Sequence, residues 1–127
     1  MSKILSIVET AYRATIEEQD DTVLWFNHIL KNAGADMAIL LRANAVNYAV
    51  QGQDASGLRF GELSQANPPR IDQDLAALMT KGTPVYMVNE DAVERGVSAE
   101  ELINGVQPIS RSMLPQLLDQ FDHVWRW

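Results

Sequence analysis

The chain has 127 residues, no cysteine and a formal charge of −7 at pH 7. Its length predicts one domain over residues 1–127, and its hydrophobic content of 46% predicts a folded core. The lack of cysteine excludes disulfides and thiolate chemistry, and the acidic charge argues against binding to nucleic acid or to anionic membrane surfaces. No apolar run approaches the roughly 20 residues of a membrane-spanning helix, so we expect a cytoplasmic protein.

The first half of the chain alternates between strand and helix patterns. Residues 3–8, KILSIV, predict a strand, and apolar positions recur at helical spacing over about 18–33. The segment 36–42 contains an uninterrupted apolar run, which is typical of a strand covered on both faces in a parallel sheet. A short helix is predicted after this strand and ends near Gly52.

Residues 52–70 have no clear period. They contain three glycines and a Pro-Pro pair, which together predict a loop. Loops of this length are uncommon in compact domains and are often functional. This loop is therefore interpreted as either a lid or a subunit contact, and Phe60 within it is a candidate oligomer-contact residue.

The second half of the chain continues the alternation with shorter elements. The patterns predict a helix over 72–81, strands over 84–88 and 106–110, a helix over 112–121 and a strand over 123–127. Pro108 indicates a sheet edge or the start of a strand. Two short helices are predicted between the third and fourth strands, one with Asn89 as its N-cap and one from the capping-box spacing of Ser98 and Glu101.

Strands that alternate with helices predict right-handed crossovers and a mainly parallel sheet. The predicted fold class is therefore α/β, a three-layer sandwich built on a sheet of about five strands. In such sheets ligands bind beyond the carboxyl ends of the strands. Candidate site residues are therefore expected where the predicted strands end.

Polar side chains at these strand ends form a candidate ligand site. The candidates for contact with a polar or anionic ligand are Thr10, Tyr12, Asn44, Asn89, Asp91 and Arg111. Arg111 suits a carboxylate or phosphate, although a salt-bridged arginine is the alternative. Asp91 could transfer protons only if burial raised its pKa, and a place in the first turn of a helix is its alternative role.

Several kinds of site are not supported by the sequence. No glycine-rich phosphate-binding pattern follows the first strand. Neither His28 nor His123 lies in a metal-ligand motif. The sequence therefore predicts no cofactor, no metal site and no catalytic residue.

Three segments occur in an order that resembles one known family. They are LLRANAVNYAVQGQ at 40–53, KGTPVYMVNEDAVERGVSAEELINGVQPIS at 81–110 and FDHVWRW at 121–127. By these segments the chain resembles the DsrE/DsrF-like family of small α/β proteins, some of which are sulfur-relay subunits in bacteria and archaea. In the second segment the match is carried by Arg95, Gly96, Leu102, Gly105 and Val106.

The resemblance implies a cysteine position that this chain does not use. Sulfur-carrying members place a cysteine at the end of the third strand or in the turn after it, and the matching positions here are Val88 and Asp91. A persulfide carrier needs a thiolate. Direct sulfur transfer by this chain is therefore chemically excluded, and the chain is identified as a cysteine-less member.

The resemblance also implies oligomers. We expect a non-catalytic oligomeric binding or assembly protein related to intracellular sulfur metabolism, which forms a homo-oligomer or joins a cysteine-bearing sulfur-relay partner. Candidate contact residues are Phe60, Trp125 and Trp127. The alternative is a small-molecule binder, or a cysteine-free enzyme, that uses the pocket at the strand ends.

Overall fold

A sheet of five parallel strands lies at the centre of the computed structural model, which describes residues 2–12, 22–53, 59–64 and 68–127. Its strands are β1 (Lys3–Val8), β2 (Asp36–Leu41), β5 (Val85–Val88), β6 (Gln107–Ile109) and β7 (His123–Arg126), and a separate hairpin contains β3 (Arg59–Phe60) and β4 (Leu63–Ser64). The order across the sheet is β6-β5-β2-β1-β7, with every neighbouring pair parallel. The α/β prediction is confirmed.

Short helices connect these strands. The α-helices are α1 (Thr22–Asn32), α2 (Ile71–Thr80), α3 (Asn89–Glu94) and α4 (Leu114–Leu118), and the 3₁₀ helices are η1 (Ala43–Ala49), η2 (Ala99–Glu101) and η3 (Arg111–Met113). Helix α1 and helix α2 pack on each other and, with η1, cover one face of the sheet. Helix α4 covers the other face.

The sheet is buried on both faces because its central strands carry apolar residues on alternating sides. Ile39 and Leu41 of β2 belong to the core beneath α1, α2 and η1. Leu40 belongs to the second core, where it packs with Leu117 of α4. Full burial of one such side chain contributes about 1.5–3 kcal/mol to folding, so both cores stabilise the sheet.

Several predicted elements differ in detail from the structure. The helix predicted over 112–121 is the 3₁₀ turn η3 followed by α4, which ends at Leu118. The helix predicted after β2 is the 3₁₀ helix η1 and ends at Ala49. The part of the first predicted helix at 18–21 lies outside the described residues. Pro108 lies in β6, which forms one edge of the sheet, as one reading of that proline predicted.

The predicted helix caps are wrong in their details. Asn89 is the first residue of α3 rather than its N-cap, because buried Val88 leads from β5 directly into the helix. Ser98 is the N-cap of η2, but its hydroxyl donates to the Glu101 carboxylate at 3.0 Å and caps no backbone N–H group. The capping-box residues therefore form a side-chain pair on a single 3₁₀ turn.

The predicted loop over 52–70 contains secondary structure. Its hairpin turns at Gly61, whose φ of 65° suits the first central position of a type II′ turn. Phe60 and Leu63 are directly opposed in this hairpin, and Phe60 is 63% exposed. Residues 54–58 and 65–67 of the predicted loop lie outside the described residues.

Candidate functional site

The carboxylate of Asp91 lies at the centre of a charged cluster where β2, β5 and β6 end. One oxygen, Oδ2, accepts the Ala43 N–H at 2.8 Å, and the other, Oδ1, accepts Nη2 of Arg111 at 2.6 Å. Ala43 follows β2, Asp91 lies in the first turn of α3, and Arg111 opens η3. Three segments that are far apart in sequence are therefore joined by one side chain, which is only 11% exposed.

The surroundings of Asp91 favour its ionised form. Burial alone would raise the pKa of the carboxyl group, but the hydrogen bonds from Ala43 and Arg111 and the charges of Arg111 and Arg95 outweigh burial and lower this pKa. Asp91 could transfer protons near neutral pH only if its pKa were raised. This condition is therefore not met. The same bond raises the pKa of the Arg111 guanidinium, so Arg111 is the salt-bridged arginine of the alternative reading.

Arg95 extends the cluster to Asn44. Its Nε donates to the Asn44 side-chain oxygen at 3.0 Å, and its Nη1 donates to the backbone carbonyl of Asp91 at 3.2 Å. In the sequence Arg95 belongs to the segment that resembles the family, and it was not among the predicted site residues. Its position four residues after Asp91, on the same side of a helix, is the signal that could have located it.

Glu90 holds the start of η3 next to Asp91. Its carboxylate accepts the Arg111 backbone N–H at 2.9 Å and the Ser110 hydroxyl at 3.3 Å. The bond from the Arg111 backbone is the main reason that the pKa of Glu90 is lowered. The two acids at the start of α3 therefore hydrogen bond to the same arginine. Asp91 binds the Arg111 side chain, and Glu90 binds the Arg111 backbone N–H.

The remaining candidate ligand residues are Thr10, Tyr12 and Asn89. Thr10 and Asn89 are exposed, and neither hydrogen bonds to the Asp91 cluster among the residues described. Tyr12 has a left-handed backbone with φ of 59°, its N–H donates to the Tyr48 hydroxyl, and its ring meets that of Tyr48 edge-on. Burial raises the pKa of the Tyr12 phenol. The structure thus brings together Asn44, Asp91 and Arg111 of the six candidates.

A second charged group lies at the ends of β1 and β7. Glu9 accepts two hydrogen bonds from Arg126, through Nε at 3.2 Å and through Nη2 at 3.1 Å, and lies 3.7 Å from Nε of Arg42. The bond to Glu9 raises the pKa of the Arg126 guanidinium. This group was not among the predicted site residues, because an acid and an arginine 117 positions apart give no local signal.

The tryptophans at the end of the chain pack partly within the fold, and Trp127 is 36% exposed. Both contact the ring of Phe26 on α1, Trp125 stacked at 6.4 Å and Trp127 edge-on at 5.6 Å. The Trp127 indole N–H donates to the buried Ser6 hydroxyl at 2.8 Å. The proposed contact role of Trp125 and Trp127 stays a prediction, as does that of Phe60.

The side chains at both positions implied for a cysteine are held within the fold. Val88 is almost completely buried in the core, and Asp91 is engaged on both carboxylate oxygens. Within the described ranges no group of three or more His, Cys, Asp or Glu side chains could hold a metal ion. None of the helices described is long and apolar enough to cross a membrane.

The molecule is a small α/β protein with a parallel five-stranded sheet. Its candidate site consists of charged side chains at the carboxyl ends of the strands, where helices begin. The chain belongs to the DsrE/DsrF-like family, whose sequence profile matches residues 6–125. It is also similar in fold to the ychN protein from E. coli, with 24% identity, full coverage of both chains and a TM-score of 0.75.

A second solved structure supports the same fold. It is a protein of unknown function, MTH1491 from Methanobacterium thermoautotrophicum, with 11% identity, full coverage of both chains and a TM-score of 0.65. A search of curated proteins found no match. Both structural likenesses concern the fold alone, and the family assignment rests on the sequence profile.

Proposed function

We propose that this protein is a non-catalytic member of its family that acts as an oligomeric binding or assembly subunit in the cytoplasm, in association with sulfur metabolism. The observation that carries this proposal is the identity of the side chain at residue 91 and its contacts. Where a sulfur-carrying member is expected to hold a cysteine, this chain holds a carboxylate that is paired with Arg111 and hydrogen bonded to Ala43.

The chemistry of that carboxylate supports the non-catalytic role. In sulfane-sulfur transfer a thiolate attacks the outer sulfur of a persulfide, a new S–S bond forms and the donor leaves as a thiolate. A carboxylate offers no sulfur atom for that bond. The other implied position, Val88, is apolar and buried. The sulfur would therefore be carried by a cysteine-bearing partner, while this chain contributes shape and contacts.

The chain nevertheless retains surroundings that suit an anion at residue 91. A backbone N–H and a guanidinium group converge on that side chain from two different segments. Both groups stabilise negative charge, whether it is on a carboxylate or on a thiolate. We therefore expect Asp91→Cys to have a thiol pKa below its ordinary value near 8.5 and to accept a sulfane sulfur.

The experiment compares the native chain with Asp91→Cys and with the control variant Val93→Cys, whose cysteine replaces an exposed residue two positions further along α3. Each is incubated with inorganic polysulfide, desalted and weighed by mass spectrometry. We expect the added mass of a sulfur atom on Asp91→Cys, less on the control at equal reagent, and none on the native chain. Stoichiometric sulfur on the native chain would overturn the proposal.

The assembly role is tested by native mass spectrometry and by light scattering of the protein from its own host. We expect a homo-oligomer, or a complex that contains a cysteine-bearing protein. A strict monomer at high concentration that captures no partner in a pull-down would overturn the assembly role, even if the native chain takes up no sulfur.

Small-molecule binding is a second candidate function, favoured by the convergence of Asn44, Arg95 and Arg111 at the strand ends. An anionic ligand must displace Asp91 from Arg111, because the two are in direct contact. Inorganic sulfate should therefore bind Asp91→Asn more tightly than the native chain in calorimetric titration. Equal and undetectable binding to both proteins would remove this candidate.

A further inference from the structure

The turn that leads into β6 contains Asn104 and Gly105, and no other asparagine in the sequence is followed by glycine. Val106 donates its N–H to the Ile103 carbonyl at 3.3 Å, which places Asn104 and Gly105 at the two central positions of the turn. Gly105 has a φ of 105°, in the region that glycine adopts most readily. Both central residues are exposed, so this pair is open to water.

Two groups of the pair are free of partners in the part of the chain that the structure describes. The Asn104 side chain makes no hydrogen bond there, and the Gly105 N–H donates to no acceptor there. Gly105 also lacks a Cβ, so no side chain at that residue shields its nitrogen. A side-chain carbonyl carbon and an unbonded backbone nitrogen are therefore neighbours at the surface.

Two other asparagines show the contrast. The Asn32 side-chain oxygen accepts a hydrogen bond from Nζ of Lys81 at 2.9 Å, and the Asn44 oxygen accepts one from Nε of Arg95 at 3.0 Å. Each is followed by an alanine whose N–H already donates to a backbone carbonyl, at 3.0 Å after Asn32 and at 3.1 Å after Asn44. At both places the side chain and the following amide are engaged, whereas at Asn104 both are free.

We propose that Asn104 is a site of spontaneous deamidation, with the Gly105 nitrogen as the nucleophile and water as the co-reactant. Hydroxide removes the proton from the Gly105 N–H, and the nitrogen attacks Cγ of Asn104. A new C–N bond forms, and the bond from Cγ to the side-chain amide breaks. The amide leaves as ammonia, and the product is a five-membered succinimide ring.

Water then opens the succinimide at either of its two carbonyl groups. Attack at Cγ breaks the new bond to the Gly105 nitrogen and yields aspartate on an unchanged main chain. Attack at the main-chain carbonyl of residue 104 breaks the original peptide bond and yields an isoaspartyl residue, whose main chain runs through Cγ. Both routes exchange an amide for a carboxylate without oxidation or reduction, so the formal charge changes from −7 to −8.

The two products differ in their effect on the fold. Ile103 and Val106, which flank the turn, are 8% and 9% exposed and belong to the core beneath α1, α2 and η1. The Ile103 N–H also donates to the Ala49 carbonyl at 2.8 Å. An isoaspartyl residue inserts one more main-chain carbon between these two buried residues, whereas aspartate leaves the main chain as it was. We therefore expect the isoaspartyl form to be the less stable product.

The reaction is tested by incubating the native chain and Asn104→Gln in mildly alkaline buffer, with a synthetic peptide of residues 99–109 as the unfolded reference. Peptide mapping by mass spectrometry locates each exchange of an amide for a carboxylate. We expect conversion at Asn104 within about tenfold of the peptide rate, because an exposed turn needs little local opening. The rate should rise with pH, and Asn104→Gln should convert much more slowly, since its side chain would have to close a six-membered ring.

Three outcomes would overturn the proposed site. They are an intact Asn104 in the native chain after the peptide has converted, conversion at Asn32 or Asn44 as fast as at Asn104, and equal conversion of Asn104→Gln at the substituted residue. Each result is read from the mass of a mapped peptide, so none depends on an activity of the protein.

The structural consequence is tested on the converted material. Anion exchange separates it from the native chain by its added charge, and enzymatic methylation of isoaspartyl groups confirms that it contains the isoaspartyl form. In thermal unfolding we expect Asn104→Asp to match the native chain and the isoaspartyl material to unfold at a lower temperature. Isoaspartyl material that unfolds together with Asn104→Asp would overturn the expected distortion of the turn.

Discussion

Replacing Asp91 by alanine removes a buried acceptor and an ion-pair partner in one step. The acceptor serves the Ala43 N–H, and a charge-assisted hydrogen bond of this kind contributes about 1.5–3 kcal/mol. The pair with Arg111 adds little to this, because the Arg111 side chain is half exposed and solvent screens it. We therefore expect Asp91→Ala to lower the free energy of unfolding by about 2–3 kcal/mol.

The contribution of Asp91 also has a pH dependence with a defined sign. The pKa of Asp91 is lowered in the folded state, so its contribution is fully present above the unfolded value, near 3.9, and is lost as pH falls through the folded pKa. The difference in stability between the native chain and Asp91→Ala should therefore be constant from about pH 6 to 7 and should shrink below about pH 4.

Urea unfolding followed by circular dichroism at a series of pH values measures both quantities. Glu94→Ala is the control, because Glu94 is exposed and its oxygens lie 3.7 Å or more from their arginine partners. We expect that variant to change the free energy of unfolding by less than about 0.5 kcal/mol. An Asp91→Ala effect no larger than that of Glu94→Ala, or one that grows in acid, would refute the reasoning.

Three further substitutions have defined outcomes. Gly105→Ala should cost about 1–3 kcal/mol in thermal unfolding, because φ there is 105° and the new Cβ would lie 3.1 Å from the sulfur of Met79. Trp127→Phe should cost about 1–2 kcal/mol in urea unfolding, because the buried Ser6 hydroxyl loses its indole donor. Phe60→Ser should change stability by less than about 0.5 kcal/mol, because the ring is exposed, and light scattering should show weaker assembly if Phe60 is a contact residue.

The centre of the sheet could be predicted because β1, β2 and β5 are largely apolar runs. The uninterrupted run in 36–42 indicated a strand buried on both faces, and that strand is β2 at the centre of the sheet. The prediction for Asn89 failed because preference for a cap competes with tertiary packing, and Val88 is held in the core up to the first residue of α3. The hairpin around Gly61 was missed because two-residue strands have no measurable period.

The candidate site was only partly predictable. Strand-end reasoning selected Asn44, Asp91 and Arg111, which the structure brings together. It could not reveal that Asp91 binds the Ala43 N–H, because a side chain and an amide 48 positions apart meet only through the sheet. The lowered pKa of Asp91 depends on that bond, so its direction could not be derived before the structure was known.

The left-handed backbone of Ala43 has a consequence for any attempt to convert this protein into a sulfur carrier. An alanine with φ of 51° is strained by about 1–3 kcal/mol, and its N–H is tied to residue 91. Asp91→Cys alone supplies a thiol but weakens the hydrogen bond from the Ala43 N–H, which helps to hold Ala43 in its strained conformation. Adding Ala43→Gly relieves the strain, so the conversion should be easier by two substitutions than by one.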